Sequence, residues 1–198
     1  MTVRRIYSYD GEKVITEGLL SGLLTDYYGG YFLLHQGLSY RGWYQFSKQQ
    51  WRMQKIVESL TPLDEGECTS LYVTGYSLKR VFASGATDVI TLYGSTLLYQ
   101  THNLNGRVKL TLDHRESYED SRLGRHYRIS VEGHEIKVVF TQEDHETKKQ
   151  EYEHHLIIKG VTDVEQLGNW REQHYATDKR RGTQETNWVY DALTFVPK

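Results

Sequence analysis

The chain has 198 residues, with 24 basic and 26 acidic side chains and a formal net charge of −2. That length suits one large domain whose core needs no cross-links, and the balanced charge provides no single-sign field, so neither nucleic acid nor an anionic membrane is an expected partner. Cys68 is the single cysteine, which excludes an internal disulfide framework and a four-cysteine zinc site and points to a reducing, cytoplasmic setting.

At the N-terminus, Met1 to Ile6 lead straight into alternating residues without a long apolar run, so no signal peptide and no membrane span are expected. Paired glycines follow in Gly29-Gly30-Tyr31-Phe32, then Tyr40-Arg41-Gly42-Trp43-Tyr44, where the backbone can turn or approach another chain closely. Over Trp51 to Leu60 the residues Met53, Ile56, Val57 and Leu60 have helical spacing, but a strand is predicted. Leu71 to Val73, Asp88 to Tyr93 and Thr96 to Thr101 alternate apolar with polar residues. Arg107 to Asp113 does so most clearly, with Val108, Leu110 and Leu112 on one face of a half-buried strand.

His126 to Phe140 reads as a hairpin. Tyr127, Ile129 and Val131 alternate up to Glu132-Gly133, Ile136, Val138 and Phe140 alternate away from it, and Gly133 supplies the positive φ of a tight turn. Thr141 to Glu153 mixes both signs of charge and is predicted as a solvated loop, before a further strand over Tyr152 to Lys159. Thr162-Asp163-Val164-Glu165 has the capping-box pattern, so Thr162 to Trp170 is predicted as a short helix, with Val189 to Val196 the last strand. About a dozen candidate strands, no repeat, and prolines only at Pro62 and Pro197 predict a single all-β domain over residues 1–198, with at most one or two short helices.

Searching for chemistry yields little. No phosphate loop, G-x-S-x-G elbow or H-E-x-x-H helix is present, so no catalytic residue and no cofactor are assigned. His154 and His155 are adjacent, and on a strand they point to opposite faces, so no metal site is expected there. Asp113, Glu116, Glu119 and Asp120, interleaved with Arg115 and Arg122, read as a surface ion-pair network. Sixteen Tyr and four Trp stand against five Phe. Most rings therefore carry a polar handle, which suits half-buried strands and also suits stacking on sugars.

The order and spacing of Gly29 to Tyr31, Tyr40 to Trp43, Lys55 to Leu60, Asp113 to Arg115 and Trp170 to Gly182 resemble the N-terminal domain of microbial glycogen debranching enzymes. Arg41 stands where that family tends to have histidine, Trp43-Tyr44 where it has two leucines, and Asp178-Lys179 near its usual glutamate. The resemblance implies an antiparallel two-layer supersandwich of the galactose mutarotase-like kind, packed on a catalytic α/α-barrel that this chain lacks. It also implies that the catalytic carboxylates lie in that barrel. On this reading Trp43, Trp170 and Tyr175 are candidates to stack on an α-glucan or on the partner domain, and Arg41 and Arg181 to bind hydroxyls. The docking face is also a candidate homodimer surface. Two alternatives remain open. One is a stand-alone mutarotase-like enzyme, with His102, His114 or His155 as acid and Glu116 or Glu153 as base. The other is a β-sandwich that binds protein or an apolar ligand.

Overall fold

The computed structural model describes residues 6–7, 13–26, 28–47, 51–116, 121–183 and 186–198. Its strands pair antiparallel throughout, in three sheets. The first holds β1 (Ile6–Tyr7), β2 (Lys13–Ile15), β7 (Cys68–Val73), β8 (Ser77–Phe82), β9 (Thr87–Tyr93) and β10 (Thr96–His102), in that spatial order. The second and largest runs β15 (Val161–His174), β16 (Thr186–Pro197), β11 (Val108–Glu116), β6 (Arg52–Pro62), β5 (Gly42–Ser47), β4 (Tyr31–Leu34), β3 (Gly22–Thr25). The third is a meander of β12 (Arg125–Glu132), β13 (Glu135–Glu143) and β14 (Gln150–Lys159). One short helix, α1 (Ala176–Arg181), completes the described elements. The chain is thus an all-β, sandwich-like protein, and no described helix is long and apolar enough to cross a membrane.

Period-two alternation builds these sheets as expected. In β11 Val108, Leu110 and Leu112 are fully buried, and the predicted hairpin forms with Glu132 opposite Glu135 and Gly133 at φ 59°. Buried side chains from all three sheets make one apolar cluster, including Leu71, Leu78 and Ile90 of the first, Ile56, Leu110 and Leu193 of the second, and Ile136 and Val138 of the third. Each such side chain contributes roughly 1.5–3 kcal/mol of burial free energy. The third sheet joins the second through rings: Tyr127 of β12 stacks on Tyr190 of β16 at 4.5 Å, and Phe140 of β13 stacks on His114 of β11 at 4.7 Å.

Three expectations are corrected. Thr162 to Trp170 is strand, not helix: it lies in β15, paired with β16, and the register slips between Thr162 and Glu165 and again between Gln166 and Asn169. At these bulges Asp163 and Gly168 take φ of 48° and 69°. Each bulge adds one residue to the two-residue repeat, so Val164, Leu167 and Trp170 recur every third position on one side of a strand. Locally that spacing is indistinguishable from a helix. The charged loop is shorter than expected, since β13 runs to Glu143 and β14 begins at Gln150. Asp113 belongs to no surface network, because it is fully buried. Glu119 and Asp120 lie outside the described residues, as does the side chain of Glu116. The stretch Trp51 to Leu60 is the strand that was expected, extended into β6.

Candidate functional site

The stretches singled out in the sequence converge in space, Tyr31 among them through its ring, stacked on Tyr44 at 4.6 Å. From β6, Lys55 and Glu58 are buried side by side and ion-paired. Asp113 on β11 accepts from Lys55 at 2.9 Å, from Arg115 at 2.9 Å and from Arg125 of β12 at 2.8 Å. Arg41, in the turn before β5, pairs with Glu58, and the Tyr175 hydroxyl donates to the same carboxylate at 3.2 Å. Ser39 ties the group together. Its carbonyl accepts from Lys55 at 2.9 Å and Arg115 at 3.1 Å, and its amide donates to Asp178 of α1 at 2.6 Å.

Helix α1 is tied to this cluster through Asp178 and the turn at Gly37. No side chain caps its start, and the amides of Thr177 and Asp178 donate instead to the Gly37 carbonyl, at 2.9 and 3.3 Å. Gly182, at φ 68°, closes the other end.

Burial penalises the charges on Asp113 and Lys55, and pairing outweighs it. Desolvation alone would raise the Asp113 carboxyl, but Lys55, Arg115 and Arg125 hold it well below the usual carboxylate range. Likewise desolvation would lower Lys55, whereas Asp113 and Glu58 raise it above an ordinary lysine. Asp113 and Lys55 stay charged at neutral pH. They form a fixed frame rather than a proton-transfer set.

A second constellation joins β11 to β14. His114 is fully buried, with Nε2 3.0 Å from Nδ1 of His154, and its own Nδ1 has no hydrogen-bond partner among the described residues. Burial, reinforced by His154 and Arg125, pushes its pKa well below the ordinary imidazole value. His155 points the other way, to the exposed face, and pairs with Glu153 at 2.5 Å. His102 is exposed at the end of β10. Among the described residues no group of three or more His, Cys, Asp or Glu is placed to hold a metal.

Of the expected ligand-binding residues, Arg41 and Tyr175 meet, with the guanidinium 5.5 Å from the ring centroid. Trp43 and Tyr175 lie in the interior at 5% and 0% exposure, so neither presents a ring face to solvent. Trp170 packs against Tyr127, Tyr190 and Arg125, away from Arg41. Arg181 is exposed in the last turn of α1.

The exposed rings are elsewhere. A groove of about 770 Å³ runs between the β3–β4 turn and the β9–β10 hairpin, lined by Tyr28, Phe46 and Tyr93 with Asp26, Gln45 and Thr96. Tyr28 and Tyr93 are 61% and 79% exposed. Gln45 fixes one wall to the other by donating to the Ser95 carbonyl at 3.0 Å. Asp26 shapes the turn by accepting from the Tyr28 and Gly30 amides, both at 2.7 Å. Trp51 stands beside it, edge-on to Phe46 at 5.9 Å. Sequence reading missed Tyr28, Tyr93 and Trp51 because nothing local separates an exposed strand-end ring from a buried one.

No known protein family, curated protein or solved structure matches this chain. Fold and sites together define an antiparallel all-β protein with a buried ionic frame and an aromatic-lined groove between two of its sheets.

Proposed function

We propose that this chain is a non-catalytic carbohydrate-binding module that holds an α-glucan in the Tyr28–Tyr93 groove. The single observation that carries the reading is the pair of solvent-exposed tyrosine rings lining a groove with Asp26, Gln45 and Thr96. A pyranose presents an apolar face that stacks on a ring and a rim of hydroxyls that need polar partners, and the groove offers both. The resemblance to the N-terminal domain of glycogen debranching enzymes supports the choice of α-glucan, and the association with a catalytic barrel rests on that resemblance alone. Glu58 and Asp113, already engaged by buried cations, favour a structural over a catalytic role.

A titration with maltooligosaccharides and a branched limit dextrin, following tryptophan fluorescence and assaying glucose in the same samples, tests this. Saturable binding without glucose release is expected, and Tyr93→Ala should weaken it roughly tenfold, about 1.4 kcal/mol. Glucose release would overturn the non-catalytic reading. Absent binding, or binding indifferent to Tyr93→Ala, would overturn the groove.

A further inference from the structure

Among the described residues the exposed aromatic rings are Tyr28, Tyr40, Trp51, Tyr76 and Tyr93, and all but Tyr40 sit at hairpin tips. In the second sheet the β3–β4 turn holds Tyr28, and Trp51 stands immediately before β6 in the β5–β6 hairpin. These four strands are antiparallel neighbours, so both tips lie at the same end of that sheet. In the first sheet the same pairing puts Tyr76, in the β7–β8 turn, and Tyr93, where β9 turns into β10, at one end. The Tyr28–Tyr93 groove joins these two ends. Single exposed rings are ordinary, but these four are gathered rather than scattered.

The two outer rings are continuous with the groove. Trp51 lies edge-on to Phe46, a groove wall, at 5.9 Å and is 81% exposed. It holds φ 54°, a left-handed backbone that a bulky residue rarely adopts, so exposure and strain together mark it as placed for contact rather than for packing. On the other side Ser77 pairs with Thr91, which brings Tyr76 beside Leu92, another groove wall. Strands in a sheet lie ~5 Å apart, so hairpin tips two strands apart are set about 10 Å from one another, farther than one sugar ring spans. Residues 26–30, 74–76 and 94–95, which form three of the four tips, include no Lys or Arg. A nucleic-acid strand or an anionic membrane needs basic residues around such rings, whereas a neutral polysaccharide needs rings and polar partners for its hydroxyls.

We propose that the groove is the centre of an extended site that takes a run of several sugar units of a glucan chain, with Tyr28 and Tyr93 stacking on the central units and Trp51 and Tyr76 on the flanking ones. The inference rests on the sugar reading of the groove and adds to it a preference for chain length.

Isothermal titration of the full chain with maltose, maltotriose and maltoheptaose tests it. Affinity should rise at least tenfold from maltose to maltoheptaose. Trp51→Asn, which tolerates the left-handed backbone, and Tyr76→Ser, at an exposed turn, should each narrow that ratio at least threefold with an unchanged circular dichroism spectrum. Equal affinity for maltose and maltoheptaose, or a ratio undiminished in either folded variant, would overturn the extended site and leave the groove reading standing. No binding of any of the three sugars would overturn the groove reading and the extension with it. Phosphatidylserine vesicles should leave the chain in the supernatant on sedimentation, and cosedimentation that Trp51→Asn abolishes would assign the rings to a membrane instead. The comparison across chain lengths on the unaltered chain needs no variant to fold.

Discussion

Asp113 is the residue on which most charge depends, because three cations share its two oxygens with no water-exposed surface on the carboxylate. Removing one partner from a buried ionic group costs about 3–5 kcal/mol, since the remaining charges stay desolvated and unpaired, and that is a large part of a domain's whole margin. Asp113→Asn, which keeps shape and removes charge, is therefore expected to lower the urea midpoint sharply or to prevent folding. A midpoint unchanged within the error of the measurement would show that the three cations do not need this carboxylate. His114 makes the opposite dependence on pH from a paired histidine. Its folded pKa is depressed, so above about 6.5 both folded and unfolded chains hold it neutral and it imposes no penalty. As pH falls below that value the unfolded chain takes up a proton that the fold refuses, and stability drops by up to ~1.4 kcal/mol per pH unit until the folded pKa is reached. Urea midpoints at pH 8 and pH 5.5 should show this loss, and His114→Phe, which keeps the stacking on Phe140, should reduce it. An undiminished slope in that variant would assign the effect to other groups. Neither residue announces itself in sequence. Asp113 sits among charges that resemble a solvated surface, and His114 is one of nine histidines.

Elements are set by the same period-two rule that makes most of them legible, and the exceptions have physical causes. In β15 two bulges convert alternation into a repeat of three, so the capping-box pattern at Thr162 loses to the ladder that β16 offers. Isolated local preference is worth tenths of a kcal/mol per residue, and a ladder of paired amides with a packed face outweighs it. Helix α1 is invisible for the complementary reason: its cap is the Gly37 carbonyl, about 140 residues away by the chain. At the start of β5, Gly42 holds φ 97°, and a Cβ there would run into the Val57 carbonyl oxygen on β6. Gly42→Ala is expected to cost ~1–3 kcal/mol from backbone strain alone, read as a fall in melting temperature. Thermal stability equal to the unaltered chain would mean that β5 can pull away from β6 without loss.

Across the whole molecule one apolar cluster runs through all three sheets, so heating should give one cooperative transition with coincident tryptophan fluorescence and far-ultraviolet dichroism. Separate transitions would show the β12–β14 meander unfolding by itself, with His114, Tyr127 and Phe140 as the seam that parts. The amino-acid sequence by itself determined that this is an all-β chain, that Val108, Leu110 and Leu112 of β11 and Ile136, Val138 and Phe140 of β13 face inward, and that a tight turn falls at Gly133. Those properties follow from alternation and backbone permissiveness, which act between near neighbours. Only the tertiary structure decided that Lys55, Glu58 and Asp113 are core rather than surface, and that Trp43 and Tyr175 are interior while Tyr28 and Tyr93 face water. The side-chain environment of a charge or a ring is set by partners tens of residues distant, and no local pattern encodes which of two chemically alike residues will find them.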